Sequence, residues 1–392
     1  MQSGTIRFGF TDLVVPCGFN SNELGRQVAA EWIRTVFYDT ITHDKSKGTG
    51  GLDASIMFET HRGENNGAAF NHTLSELPEF VSPRFSGADM LALSLVSSVP
   101  GCGGQKVPLR MGRIDAARAG QTGVPKPEHN LKSAMTAFTK AGFTQEEMIA
   151  LVACGHTLGG VHSTENPRIA GGKPSPSNKP NVDSTSANFD NVVVKEYLGS
   201  SGVNPLVFGR NETTNSGKRI FGSDRNVTMA KMKDPKTFQR SCATVFERLI
   251  YTVPSAVKPS APIELIDIKP YITKLKPSGK QSGVTLEVSL SLISKSGKRS
   301  TVKASRMVGG GQFFGFFNEI FTWYQFAICI MRRPTSRHLI SISNQRTRER
   351  LFLTINAPVV IPSRMSYFSF SPSLVFKVKC MMATWLLPLR PL

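Results

Sequence analysis

Residues 144–160 read TQEEMIALVACGHTLGG, and the fold turns on this stretch. Thr144 and Glu147 stand three apart ahead of an apolar run, the spacing of a capping box, in which each side chain satisfies the other's free backbone N–H. Ile149 and Val152 precede His156 by seven and four residues, so the three share one helical stripe. Gly159-Gly160 then stops the helix. The spacing predicts a helix over 145–157 with an imidazole at its C-terminal end, pointing along the buried stripe. Taken singly, such a histidine reads equally well as a core residue bonded to a carbonyl.

A second helix is predicted over residues 22–40, where Ala29, Ile33, Val36 and Phe37 follow i, i+4, i+7 and i+8. Arg34 and Tyr38 are four apart and share a face, with Phe37 beside them. By default that is a solvated surface pair. The Gly-rich, acidic turn THDKSKGTGGLDASI follows, carrying Asp53 and Ser55, with Asp39 just before it. ADMLALSLVSS (88–98) and PKTFQRSCATVFERLIY (235–251) also read as helices, and GGKPSPSNKPNV (171–182) as a loop.

The 392 residues carry 47 basic and 28 acidic side chains, a net charge of +19 that taken whole suggests a polyanion partner. Its distribution argues otherwise: residues 1–254 hold only +4 of it and residues 255–392 the remaining +15. The first 254 residues are therefore an ordinary near-neutral domain. The basic residues of 255–306 lack the interleaved aromatics of a nucleic-acid platform, and no nucleic-acid partner is expected. Hydrophobic residues at 40% exclude wholesale disorder, and six cysteines are too few for a disulfide-dense miniature scaffold. MQSGTIRFGFTDLVVP has no basic stretch followed by a long apolar run, so either the protein is cytosolic or an upstream exon is missing. Three N-glycosylation acceptors, at Asn71, Asn211 and Asn226, lean toward secretion.

Character changes at Pro254. PSAVKPSAPIE is linker-like, and VTLEVSLSLI (284–293) alternates at period two, so a small β-rich segment is expected within 255–306. Over 307–392 three readings stand side by side: a membrane span at 313–331, opposed by Asn318, Glu319 and Gln325 inside it; more β structure; or translated non-coding sequence. Cys329 and Cys380 fall in this tail and receive no assignment.

The blocks RTVFYD, GGLDASI, GENNGAA, SGADMLAL with GGQKVPLRMGRIDA, LVACGHTLGG, DSTSANFDN and FGSDRNVTM, in this order over roughly residues 15–254, resemble the plant/fungal/bacterial haem peroxidase superfamily, and its secreted fungal members most. The resemblance implies a mainly α, two-part helical fold with haem b between a distal and a proximal helix, followed by the small C-terminal β-rich segment. It implies a haem-dependent peroxidase that reduces hydrogen peroxide at the expense of small aromatic donors, secreted and monomeric, with no membrane partner expected. His156 would bind the iron and Asp224 would accept the ring's other N–H. On the distal side Arg34 matches the residue that polarises the peroxide bond, Asn65 the amide that holds the distal base, and Phe37 the aromatic over the haem.

Tyr38 departs from the family pattern, which has histidine there as the general base. An imidazole near pKa 6.5 suits a proton shuttle at neutral pH, whereas a phenol near 10 does not. Losing a positioned base typically costs roughly 10²–10⁴ in rate. Activity is therefore expected to be impaired, the alternative being a haem-binding pseudoperoxidase in which Tyr38 hydrogen-bonds a distal ligand. His43 lies five residues on, about 140° round the helix, and should not point over the iron. The resemblance also implies two calcium ions: a distal one on Asp39, Gly51, Asp53 and Ser55, and a proximal one on Thr157, Asp183, Thr185, Asn188 and Asp190. Cys17 and Cys102, both in Gly/Pro loops, form the preferred disulfide. Cys154 and Cys242 lie inside predicted helices, where a bridge and buried free thiols both remain open. Trp32, the sole tryptophan of residues 1–254, is expected to be packed rather than to relay electrons from the surface, and no acidic manganese pocket is evident. That leaves small phenols at the haem edge as the expected donors.

Overall fold

The computed structural model describes residues 10–18, 24–82 and 85–263 in full, and the backbone of strands lying between 268 and 355. Among the described residues ten α-helices form the first unit: α1 (Val28–Thr40), α2 (Ala69–Glu76), α3 (Gly87–Gly101), α4 (Leu131–Ala141), α5 (Gln145–Gly155), α6 (Pro167–Ala170), α7 (Val192–Leu198), α8 (Ser216–Phe221), α9 (Val227–Met232) and α10 (Pro235–Tyr251). The expected mainly α fold is observed. The helix expected over 22–40 begins only at Val28, because Gly25 takes a left-handed φ of 79° and Gln27 is extended.

Helix α3 is the spine and is buried almost along its whole length. Its small polar residues make this feasible by bonding back to the preceding turn: the Ser94 hydroxyl donates to Leu91 O and that of Ser98 to Ser94 O. The free N–H groups at its start are all met. Ser86 accepts from Asp89 N, and the Asp115 carboxylate accepts from Gly87 N and Ala88 N. Against this spine packs α1, and Ala29, Trp32, Ile33 and Val36 of that helix share one buried core with Phe70, Phe189, Phe238 and Phe246. Trp32 is wholly buried, stacked on Phe10 at 4.6 Å, and its Nε1 donates to Glu76 at 3.0 Å.

Two covalent ties and one ionic tie hold the layers. Cys17 is bonded to Cys102, as preferred from the sequence, and Cys154 of α5 is bonded to Cys242 of α10. The buried Arg113 joins three segments. It donates to Asp89 Oδ1 at 3.0 Å and through Nε to Ile250 O at 3.1 Å, while Asp89 also accepts from the Gly112 and Arg113 amides. Burial lowers the Arg113 pKa, against the pull of Asp89.

Packing continues past Pro254. The amides of Ser255, Ser260 and Ile263 donate to Gly48 O, Met111 O and Leu109 O, and the helical unit ends at residue 264. In the second unit β1 (Ile268–Pro277), β2 (Gly283–Ser294), β4 (Met307–Phe314) and β5 (Ile320–Met331) form one antiparallel sheet in the order β1-β2-β5-β4; β3 (Val302–Ala304), β6 (His338–Asn344) and β7 (Arg350–Ile355) form another. The alternating stretch 284–293 falls within β2. Of the stretch read as a membrane span, residues 320–331 are strand, and no helix among the described residues is long and apolar enough to cross a membrane. Residues 356–392 lie outside the described residues.

Removing one partner of a buried ion pair leaves the other charge uncompensated. Asp89→Ala should therefore lower the unfolding free energy by about 3–5 kcal/mol in a denaturant titration. A loss under about 1 kcal/mol would show that the Arg113 hub does not hold the three segments together.

Candidate active site

Helices α1 and α5 face each other across a cavity. From α1 it is lined by Ala30, Ile33, Arg34, Phe37 and Tyr38, and from the end of α5 by Leu151, Val152, Gly155 and His156. Leu131, Ala134 and Phe138 of α4, with Phe246 and Leu249 of α10, complete apolar walls. The capping box read from the sequence is present: Glu147 N donates to Thr144 Oγ1 at 3.2 Å and Thr144 N to Glu147 Oε2 at 2.8 Å. Helix α5 ends at Gly155, with His156 as its C-cap. Beyond it Gly159 takes φ 79°, and a Cβ there would lie 2.6 Å from the Ala30 side chain. Glycine is thus required where the exit of α5 touches α1.

His156 is fully buried, and burial, with the charge of Arg34 across the cavity, pushes its pKa down to about 4. Its Nδ1 has no hydrogen-bond partner. The expected bond to Asp224 is not made. Asp224 is turned to cap α9, its Oδ2 accepting from Thr228 N at 2.8 Å and Oγ1 at 2.5 Å, and its buried Oδ1 is likewise without a partner. A buried donor and a buried acceptor thus stand unsatisfied, each at a cost in free energy.

On the opposite wall the Arg34 Nη2 donates to Asn66 O at 2.7 Å and to the Tyr38 hydroxyl at 3.4 Å. Its guanidinium lies 4.9 Å from the Tyr38 ring centre and 4.7 Å from that of Phe70. Phe37 packs on Phe138 at 5.8 Å. The Asn65 side chain donates to Glu59 O at 3.0 Å, but its carbonyl oxygen is buried and unpartnered, and Tyr38 does not reach it. His43 is buried elsewhere, its Nδ1–H donating to Gly50 O at 2.8 Å. It does not line the cavity; α1 ends at Thr40, so His43 lies past the helix and is held in the following turn.

The cavity also has a charged mouth that sequence reasoning missed. Arg26 bridges Glu31 of α1 at 2.9 Å and Glu165 of the loop after His156 at 2.7 Å, while the Asn66 side-chain amide donates to Glu165 O at 2.7 Å. His162 and Lys179 face the same space. Burial and then Arg26 push His162 down to about 4, and burial lowers Lys179. The Lys179 cation, held this far from water, favours an anionic ligand, which the neutral His162 ring can join by hydrogen bonding.

Two oxygen clusters flank the cavity walls. At the end of α1 the buried Asp39 accepts from Asp53 N at 3.0 Å, Ala54 N at 2.8 Å and Ile56 N at 2.8 Å, with Ser55 Oγ at 3.4 Å. Burial and the neighbouring Asp53 raise Asp39 to about 8, and burial raises Asp53. Gly51 sits at φ 104° against the 252–253 backbone, where a Cβ would come within 2.5 Å of Thr252 O. After His156, Thr157 Oγ1 donates to Asp190 O at 2.7 Å and lies 3.3 Å from Asp183 Oδ2; Thr185 Oγ1 donates to Asp190 Oδ1 at 3.0 Å, and Asn188 N to Thr185 O. Burial, then Asp190 and Glu196, raise Asp183 to about 7. Each cluster therefore has two carboxylates with hydroxyl and carbonyl oxygens; no group of three or more His, Cys, Asp or Glu that could hold a metal occurs among the described residues.

A family model described as peroxidase matches residues 19–242. A WSC domain-containing protein of Arthroderma benhamiae is 40% identical over 274 residues, 69% of this chain and 38% of that protein. The peroxisomal L-ascorbate peroxidase 5 of Arabidopsis thaliana is 34% identical over 139 residues, 35% of this chain and 50% of that protein. The mitochondrial cytochrome c peroxidase of Aspergillus fumigatus is 28% identical over 136 residues, 33% of this chain and 37% of that protein. The chain thus spans half or less of the length of each of these relatives. With more than half of its length matching the family, and a helical unit that sets His156 opposite Arg34 across one cavity, the chain belongs to the peroxidase family of the haem peroxidase superfamily.

Proposed function

We propose that the chain is a secreted, monomeric haem b peroxidase that reduces hydrogen peroxide and oxidises small phenolic donors, slowed at peroxide activation by Tyr38. The observation that carries this reading is the buried, unpaired imidazole of His156 facing Arg34 across an apolar cavity. The residues fit haem: His156 as iron ligand, apolar walls for the macrocycle, and the half-buried Lys179 cation with the His162 ring for its carboxylates. Bound haem would supply the two-electron reduction of peroxide and the one-electron oxidation of donors.

Around it this chain's own residues have separate tasks. Arg34 places a fixed cation where negative charge develops on the departing oxygen. Asp224, turned away from Thr228, would accept a hydrogen bond from His156 Nδ1–H, which would satisfy both unpaired atoms and make the imidazole more basic. Tyr38 offers no imidazole to relay a proton between the peroxide oxygens. The two oxygen clusters suit calcium, a hard cation that relieves the repulsion between Asp39 and Asp53 and between Asp183 and Asp190. Each ion would lock the end of one wall helix to the loop beyond it. Both disulfides accord with an oxidising, extracellular setting.

Ferric hemin added to the protein should give a Soret band that shifts and weakens in His156→Ala; an identical spectrum in that variant would reject His156 as the ligand. In stopped-flow mixing with peroxide, Tyr38→His should react roughly 10²–10⁴ faster than the unmodified chain. Rates within about threefold of each other would reject the impairment. Chelation should lower the melting temperature by roughly 5–10 °C, since a site at a hundredfold excess over Kd contributes about 2.7 kcal/mol. Recovery should follow calcium and not magnesium, and an unchanged melting temperature would remove calcium from the reading.

A further inference from the structure

We propose that Tyr38 is itself an axial ligand of the haem iron, bound through its phenolate oxygen on the face opposite His156. This rests on the haem reading above and deepens it, for it makes the protein a six-coordinate ferric haem holder whose peroxide position is occupied by its own side chain.

Four observations converge. Tyr38 and His156 line one cavity from opposite walls, so the phenol stands where a distal ligand must. Among the described residues the Tyr38 hydroxyl takes one hydrogen bond, from Arg34 at 3.4 Å, and gives none, so its proton is committed to no protein acceptor. The nearest family role, a distal group held by Asn65, is not filled: the Asn65 carbonyl oxygen is buried without a partner. Finally, the guanidinium of Arg34 lies over the Tyr38 ring, 4.9 Å from its centre, placing a permanent cation beside the oxygen that would carry the negative charge.

The scaffold beneath the ring is firm. Thr35 Oγ1 donates to Thr73 Oγ1 at 3.0 Å, tying α1 to α2, and the Tyr38 ring rests on Phe70 at 4.8 Å. In the step itself the Tyr38 O–H bond breaks, its proton leaves to water through the mouth, and the oxygen electron pair forms the O–Fe bond. Iron stays ferric and nothing is oxidised. Tyrosinate is an established haem ligand type in catalase, and a hard anionic oxygen favours ferric over ferrous iron. Peroxide must then displace the phenolate before it can react, a second brake beyond the missing base.

The test is spectroscopic, on the full chain loaded with ferric hemin. Resonance Raman excitation should reveal iron-bound phenolate ring modes. These should shift when the protein carries ring-deuterated tyrosine and vanish in Tyr38→Phe, with a changed Soret position. The deuterium shift is read in the unmodified chain, so it decides the matter even if the variant folds poorly. Absence of phenolate modes in the unmodified protein, or identical spectra in Tyr38→Phe, overturns the ligation while leaving the haem reading intact. Failure of hemin to give any Soret band overturns both. Phenolate modes should survive in His156→Ala with a shifted Soret band, since removing one axial ligand leaves the other in place.

Discussion

The constraint on which the structure depends is that α1 and α5 must face each other without closing up. An apolar gap forfeits dispersion contacts along its whole lining, so two helices left free would slide together. Here they are braced at their ends rather than along their length. The C-terminus of α1 is gripped by the Asp39 carboxylate, which gathers three backbone amides of the 53–56 turn. Helix α5 is bolted to α10 by Cys154–Cys242, and the residue after His156 is tied to the 183–190 loop through Thr157. The one close approach, Gly159 on Ala30, is made by a residue with no side chain. Every brace lies outside the cavity, which leaves the facing side chains free for chemistry.

That division explains what was legible in the sequence. Elements whose signals are local were readable: the capping box of α5, the full span of α10 and the long α3. Helix α7 was not, since VVVKEYL is rich in β-branched residues and is helical only because Val193 and Val194 are buried against the core. Helix α4 was passed over although Asn130 caps its start and Gly142 ends it in the left-handed region. In the site, His156, Arg34 and Tyr38 were readable because each sits within an ordered block. The mouth was not, because Arg26, Glu31, Glu165 and Lys179 come from segments that share no period and meet only through the fold. The Cys154–Cys242 bridge was undecidable for the same reason: whether two helical thiols pair depends on how closely two helices approach.

The two walls carry opposite kinds of incompleteness. On the side of α5 two groups of complementary kind, His156 Nδ1 and Asp224 Oδ1, are each left without a partner. On the side of α1 the Asn65 oxygen has no complement, because the residue four after Arg34 is a phenol whose oxygen lies against the guanidinium instead. One wall holds unused capacity, and the other has been given a different chemical character by a single side chain.

Asn66 ties Arg34 to the loop after His156. Its carbonyl oxygen accepts from Arg34 and its side-chain amide donates to the Glu165 backbone, which in turn is clasped through its carboxylate by Arg26. The orientation of the distal arginine and the closure of the mouth are thus two readouts of one loop's position. One bonded chain fixes the Arg34 guanidinium and the loop after His156 together.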